Sequence, residues 1–243
     1  MMSANSLQAE YDVIICGAGI AGLTLARQVT KEVPGVSLLV IEGLGDKSRT
    51  AAIQVGESTI EISANYLANV VDLREYLEAT HYHKWGFRFF FGSGDMPLQD
   101  RPELGTGRAS PLNSYQLDRA LLETDVKRLN TAVGIQMLEE SKVIDIKLGS
   151  SGALHEVTVW EKLTDRKVTL KCRWIIDAMG RRRFIQTKLG IAEAHNPLHS
   201  AAWFRLEGRI DVSDFVPASD TEWHQRVQGD NRYYSTNHLM GNG

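Results

Sequence analysis

The chain has 243 residues, 43% of them hydrophobic, 23% charged and 8% aromatic, the proportions of an ordinary globular protein of one large domain or two modest ones. With 27 Lys+Arg against 30 Asp+Glu the formal net charge is -3, too weak a field to draw nucleic acid or an anionic membrane. The two cysteines, Cys16 and Cys172, sit in apolar runs, which argues against a disulfide scaffold and fits a reducing cytoplasm. The N-terminal MMSANSLQAE lacks the basic and apolar stretches of a signal peptide, and no apolar run approaches the roughly 20 residues that a membrane span needs.

Tyr11 to Cys16 (YDVIIC) is a short apolar run ending at a glycine, the pattern of a buried parallel strand. Gly17 to Gly22 read GAGIAG, and helical period follows through Leu23, Leu25, Ala26 and Val29 until Pro34-Gly35 stops it. Val36 to Ile41 is a second buried strand, closed by Glu42, so the opening forms a βαβ unit. Leu44 to Gln54 is polar and reads as loop. Gly56-Glu57-Ser58-Thr59 opens a helix expected over 59–71, with Ser58 or Thr59 as its cap, and a short helix is expected over 73–79. Lys84 to Phe91 (KWGFRFFF) reads as a strand, Gly92 to Ser110 as a long loop, and Tyr115 to Leu129 as a helix.

Strands are expected over 135–147 and 154–162 about the turn Gly149 to Gly152, with 168–172 pairing with the second. Trp174 to Asp177 reads as another buried strand, ending in Ala178-Met179-Gly180. Ala201 to Ile210 reads as a strand of a different region, and Tyr233 to Gly243 begins a strand-and-turn pattern. The chain divides accordingly into 1–80, 81–110, 111–194 and 195–243: a nucleotide-binding core, a substrate-side strand and loop, a return to the core with a β insertion, and the start of a substrate domain.

Gly17-x-Gly19-x-x-Gly22 stands between a strand and a helix, and Glu42 ends the next strand 20 residues after Gly22. That spacing fits a dinucleotide: Gly17 for the tight turn, Gly19 for close approach of a pyrophosphate and Gly22 for helix–strand packing. Ile20 and Ala21 lie at the helix N-terminus, whose free N–H groups face phosphate, and Glu42 reaches a ribose hydroxyl. The fingerprint alone does not choose between NAD and FAD, and its bland counterpart is a glycine turn with no ligand.

Arg173 to Gly180 (RWIIDAMG) resembles the second dinucleotide segment of FAD-dependent monooxygenase-type flavoproteins, which implies that Asp177 and Gly180 lie near the cofactor. Tyr115 to Arg119 (YQLDR) resembles their flavin-contacting helix and nominates Gln116 and Arg119. Three matches in order favour FAD. Gly56-Glu57-Ser58-Thr59, followed by Lys84 in HKWGFRFF, then makes the chain resemble the flavin-dependent halogenases of the tryptophan-halogenase-like group, from about Tyr11 to its end.

The resemblance implies an α/β fold, with a Rossmann-like FAD-binding domain of monooxygenase and halogenase type and an inserted and following β-rich substrate region. It implies reduced FAD supplied by a partner flavin reductase, with dioxygen and a halide, chloride or bromide, yielding hypohalous acid. Lys84 would direct the halogen onto an electron-rich aromatic or phenolic substrate, free or tethered to a carrier protein. Partial burial that lowers a lysine pKa suits such a role. Gly56, Glu57, Ser58 and Thr59 would be flavin-adjacent. Ile60 is followed by Glu61 where many members carry proline, so the match is to the wider group rather than to tryptophan-specific members.

The later Trp-x-Trp-x-Ile and Gly-Asp segments of that group are not found before Met240-Gly241-Asn242-Gly243. The expectation is an N-terminal portion that lacks a C-terminal partner segment and binds FAD weakly alone. The rival readings are an FAD-dependent monooxygenase in which Lys84 is incidental, and a flavin-binding homologue without turnover.

Taken singly, several of these residues have plainer explanations. Lys84 is a strand-start charge, Glu57 a helix N-terminal acid and Ser58 a cap. His81 and His83 lack a third ligand, so no metal is expected. Arg181 to Arg183 read as a solvated turn, and Trp85, Phe87, Phe89, Phe90, Phe91, Trp203 and Trp223 as strand core or a substrate tunnel. There is no Walker A sequence, zinc spacing or basic stripe.

Overall fold

A computed structural model describes residues 7–43, 45, 55–108, 112–194 and 200–241. The segment read as loop over 44–54 lies, apart from Gly45, outside the described residues. In chain order the elements are β1 (Glu10–Cys16), α1 (Ile20–Glu32), β2 (Leu38–Ile41), β3 (Glu57–Ser58), α2 (Glu61–Asn65), α3 (Arg74–Thr80), β4 (Tyr82–His83), β5 (Phe87–Phe90), β6 (Glu103–Gly105) and β7 (Tyr115–Leu117). They continue with α4 (Arg119–Ala132), β8 (Gln136–Leu138), β9 (Ser141–Lys147), β10 (His155–Glu161), β11 (Arg166–Asp177), α5 (Phe184–Lys188), α6 (Thr221–Gln225), α7 (Asn231–Tyr234) and β12 (Thr236–Leu239).

These form two compact units, one from 1–55 and 119–202, the other from 56–118 and 203–243. The first is built on a six-stranded sheet in the order β8-β2-β1-β11-β10-β9. Pairing is parallel from β8 through β11 and antiparallel from β11 through β9. Its core joins Ile14, Cys16, Leu39, Ile41, Val143, Val157, Val159 and Cys172, all buried. Each branched side chain so buried contributes about 1.5–3 kcal/mol, which is why the apolar runs of β1 and β2 commit to the sheet. Burial pushes the Cys16 thiol up to about 12 and the Cys172 thiol up to about 11, so both stay protonated core groups. Among the described residues they are free cysteines. On the sheet, Asn130 of α4 is fully buried and donates to the Leu23 carbonyl of α1 at 2.9 Å.

The second unit holds two three-stranded sheets, β12-β5-β6 and β3-β7-β4. A small core of Phe90, Val212, Val216 and Trp223 packs there, so Trp223 is interior.

The periodic elements fall where the sequence puts them, and the departures have local causes. β11 is one strand of 12 residues rather than two, pairing antiparallel with β10 through its first half and parallel with β1 through its second. It is not buried throughout: Trp174 is 70% exposed. The strand read over 135–147 breaks at Glu139-Glu140, where Glu140 takes a positive φ of 50°. The helix read from Tyr115 begins only at Arg119, because Tyr115–Leu117 is strand β7, drawn into pairing with β3 and β4. The helix read over 59–71 is α-helical over Glu61–Asn65 and then makes a π-helical turn over Tyr66–Val70. Ala201 to Ile210, read as a strand, carries no strand among its residues. No described helix is long and apolar enough to cross a membrane.

Candidate functional site: a glycine cradle and a buried lysine

The first unit gathers the glycine fingerprint, Glu42 and the Asp177–Gly180 turn at the C-terminal ends of its parallel strands. Cys16 of β1 is in register with Asp177 of β11, and the Cys16 carbonyl accepts from Ala178 N–H at 2.8 Å. Gly17 has φ of 109°, and a Cβ there would stand 2.4 Å from the Ala178 carbonyl oxygen. A Cβ on Gly22 would stand 2.0 Å from the Gly17 carbonyl oxygen, whereas one on Gly19 meets nothing closer than 3.9 Å. The outer two glycines are therefore closed by the protein's own backbone and the middle one faces open space, the geometry that lets a ligand approach the main chain. Glu42, 8% exposed, accepts from Ala18 N–H through Oε2 at 2.8 Å, which ties the acid to the loop.

Helix α1 starts after Gly19 without a side-chain cap from that residue. Its first N–H, of Ile20, donates instead to Glu123 Oε1 at 3.1 Å. Glu123 also takes Arg119 Nη2 at 2.6 Å and lies 97% out of solvent as a side chain, at 3% exposure. The Ile20 N–H is thus met by a carboxylate rather than left free, and it is the open side of Gly19 that fits the approach of a pyrophosphate to the main chain. Glu123 was not singled out in the sequence, although its i,i+4 relation to Arg119 was visible. Asp177 is engaged locally, accepting from Met179 N–H and, at 2.8 Å, from Ile185 N–H at the start of α5. Gly180 has φ of 59° and opens a single 3-10 turn through Arg182. Arg181 to Arg183 are exposed, with Arg182 over the Phe184 ring.

The second unit gathers Ser58, Thr59, Lys84 and Gln116. Glu57 and Ser58 form strand β3 against Leu117 and Gln116, so the GES-T segment does not begin a helix, and neither Ser58 nor Thr59 caps α2. Thr59 instead clamps Tyr115: its N–H and its Oγ1 both donate to the Tyr115 carbonyl, at 2.9 and 3.1 Å. Its Oγ1 also accepts from Tyr115 N–H at 2.6 Å. Gly56 stands beside this pair, where a Cβ would lie 3.3 Å from the Leu117 carbonyl oxygen.

Lys84 is 3% exposed, so the solvated-charge reading fails. Its Nζ donates to the Thr59 carbonyl at 2.7 Å and sits 3.9 Å from the centroid of the Phe87 ring. Its backbone is fixed from both sides by Ser114, through Lys84 N–H to Ser114 O at 2.8 Å and Ser114 Oγ to Lys84 O at 3.0 Å. Burial, opposed in part by the Glu61 carboxylate, holds the ammonium below the ordinary 10.5 of lysine. An amine poised this way is a directed hydrogen-bond donor and, once deprotonated, a nucleophile.

Thr236 of β12 joins the group, its Oγ1 accepting from Gln116 Nε2 at 2.7 Å and lying 3.1 Å from Ser58 Oγ. Nothing in the sequence near Thr236 announces this, because the partners are more than a hundred residues away. His81 and His83 point to different neighbours. His81 takes Tyr76 Oη at 3.2 Å, while the His83 ring lies 5.2 Å from that of Tyr115. Among the described residues no group of three or more His, Cys, Asp or Glu side chains is placed to hold a metal.

Comparison with known proteins gives a consistent neighbourhood. The family described as FAD binding domain matches residues 10–235. A flavin-dependent halogenase of Dictyostelium discoideum is 26% identical over 263 residues, covering 96% of this chain and 41% of that protein. The 1H-pyrrole-2-carbonyl-(peptidyl-carrier protein) chlorinase of Pseudomonas fluorescens is 25% identical over 217 residues, covering 80% of this chain and 45% of that protein. The chain therefore spans less than half the length of either relative. Among solved structures, a myxobacterial chondrochloren halogenase superposes with a TM-score of 0.59 at 23% identity, covering 72% of this chain and 38% of that one. A flavin-dependent monooxygenase complexed with FAD and substrate gives 0.60 at 18% identity, covering 74% and 32%. Both share the α/β fold.

Proposed function

The chain belongs to the FAD-binding domain family, and from that premise we propose that it contributes the FAD-binding part of a flavin-dependent halogenase. FAD, when bound, supplies the oxidising equivalents from dioxygen that convert halide to hypohalous acid. The glycine cradle holds the pyrophosphate, with Gly17, Gly19, Ile20, Ala21 and Gly22 presenting main chain and Glu42 the acid; Arg119, Asp177 and Gly180 flank it. Gly56, Glu57, Ser58, Thr59 and Gln116 form the flavin-adjacent strand pair. Lys84 passes the halogen to an electron-rich aromatic or phenolic ring. Reduced FAD comes from a partner reductase, and the substrate is carried on a carrier protein in the manner named for the Pseudomonas relative, or is free.

The single observation that carries this reading is the burial of Lys84 with its Nζ fixed at 2.7 Å from the Thr59 carbonyl inside the GES-T segment. A structural lysine gains little from such a place, since desolvating an ammonium is costly unless the charge is used or paired. The fold likeness to a monooxygenase keeps one rival, in which oxygen rather than halogen reaches the substrate.

Halide exchange separates them. With reduced FAD, dioxygen and an electron-rich phenol, the halogenase reading predicts a product heavier by one bromine for hydrogen in bromide and by one chlorine for hydrogen in chloride. A product heavier by one oxygen in both salts would establish the rival.

A further inference from the structure

We infer that the β12-β5-β6 region carries an anion site that takes a phosphoryl group, in a cavity of about 240 Å³ lined by Arg88, Arg101, Glu103, Gly105, Thr106 and Arg226. Its basis is a charge imbalance. Arg88, Arg101 and Arg232 are 2%, 5% and 3% exposed, and the carboxylate bonded among them is that of Glu103. Arg232 takes both Glu103 oxygens, at 2.9 and 2.8 Å, and Arg88 Nη1 takes Oε1 at 2.7 Å.

Arg101 spends its N–H groups on the carbonyls of Ser93, Gly94, Met96 and Met240, which satisfies hydrogen bonds without cancelling charge. Asp95, which Arg101 helps to keep ionised, is exposed. Arg88 Nε is shut off from solvent and has no hydrogen-bond partner among the described residues. Among the described residues the charge paired with Arg226, at the cavity wall, is that of the 87% exposed Glu222 at 3.4 Å, a pair that water and salt screen.

Arg88 and Arg232 thus share the Glu103 carboxylate, while Arg101 is held by carbonyls alone, so that among the described residues these three buried guanidiniums are balanced by one buried carboxylate. Unbalanced buried charge is costly, and an anion in the cavity relieves it. The Arg226 guanidinium, the accessible one in the lining, matches the oxygens of a phosphoryl group. The buried arginines add fixed positive charge while their own N–H groups hold Glu103 and main-chain carbonyls, and the cavity is far larger than a bare halide requires. The group is either free phosphate or an ester on a larger molecule, with the same recognition chemistry. This site uses none of the residues assigned to FAD or halogen.

Calorimetric titration of inorganic phosphate, and separately of phenyl phosphate, into the flavin-free chain at constant ionic strength tests it. Saturable binding is expected, weakened roughly tenfold or more by Arg226→Ala and largely restored by Arg226→Lys. Tighter binding of phenyl phosphate would identify an ester as the ligand, and equal binding free phosphate. Arg226 is half-exposed, and circular dichroism of each variant verifies its fold. Absence of binding to the unaltered chain, or binding that Arg226→Ala leaves unchanged, overturns the proposal; the second result would put the anion at the Gly17 cradle.

Discussion

At Gly17 the main chain makes the site. The positive φ and the 2.4 Å approach of a would-be Cβ to the Ala178 oxygen both forbid a side chain. Gly17→Ala is expected to lower stability by on the order of 3 kcal/mol, from backbone strain plus overpacking, and to weaken FAD binding with it. Chemical denaturation and flavin fluorescence titration measure the two effects. Lys84 gives a second expectation at this scale. Its ammonium is held below 10.5 in the folded chain by burial, so folding sheds a proton between the folded value and 10.5. The cost of the buried charge is full below the folded pKa and is lost as pH rises toward 10.5. Wild type should therefore gain stability relative to Lys84→Met across that window, as urea midpoints at stepped pH would report. The glycines were legible from spacing alone, because their requirement is local. The burial of Lys84 was not, since the Ser114 and Thr59 groups that enclose it are distant in the chain.

Among the elements, the β3–β7 contact decides where the lysine sits. Thr59 answers both main-chain groups of Tyr115 while offering its own carbonyl to Lys84. Thr59→Val keeps the volume, strips the 2.6 Å acceptor from a buried N–H, and is expected to cost about 1–3 kcal/mol in thermal or urea unfolding. It should also reduce halogen transfer more than FAD affinity. This element defeated periodicity: Tyr115 to Leu117 lead without a break into helix α4, and their pairing is set by partners over thirty residues away. β1, α1 and β2 were legible because apolar runs, a helical stripe and glycine stops agree there. The halves of β11 look like separate strands because the face that each buries changes with its partner.

At the scale of the molecule, the glycine fingerprint, Glu42 and the Asp177–Gly180 turn lie in one compact unit and Lys84 in the other. The proposal that the glycine cradle of the first unit grips the FAD pyrophosphate while Lys84 acts only in halogen transfer predicts that their effects come apart. The most direct measurement compares Lys84→Ala with wild type in one assay, following FAD affinity and bromination of an electron-rich phenol under reduced FAD, dioxygen and bromide. The account predicts unchanged FAD affinity and loss of the brominated product. Bromination that survives in Lys84→Ala, or an FAD affinity that falls tenfold with it, would contradict the account.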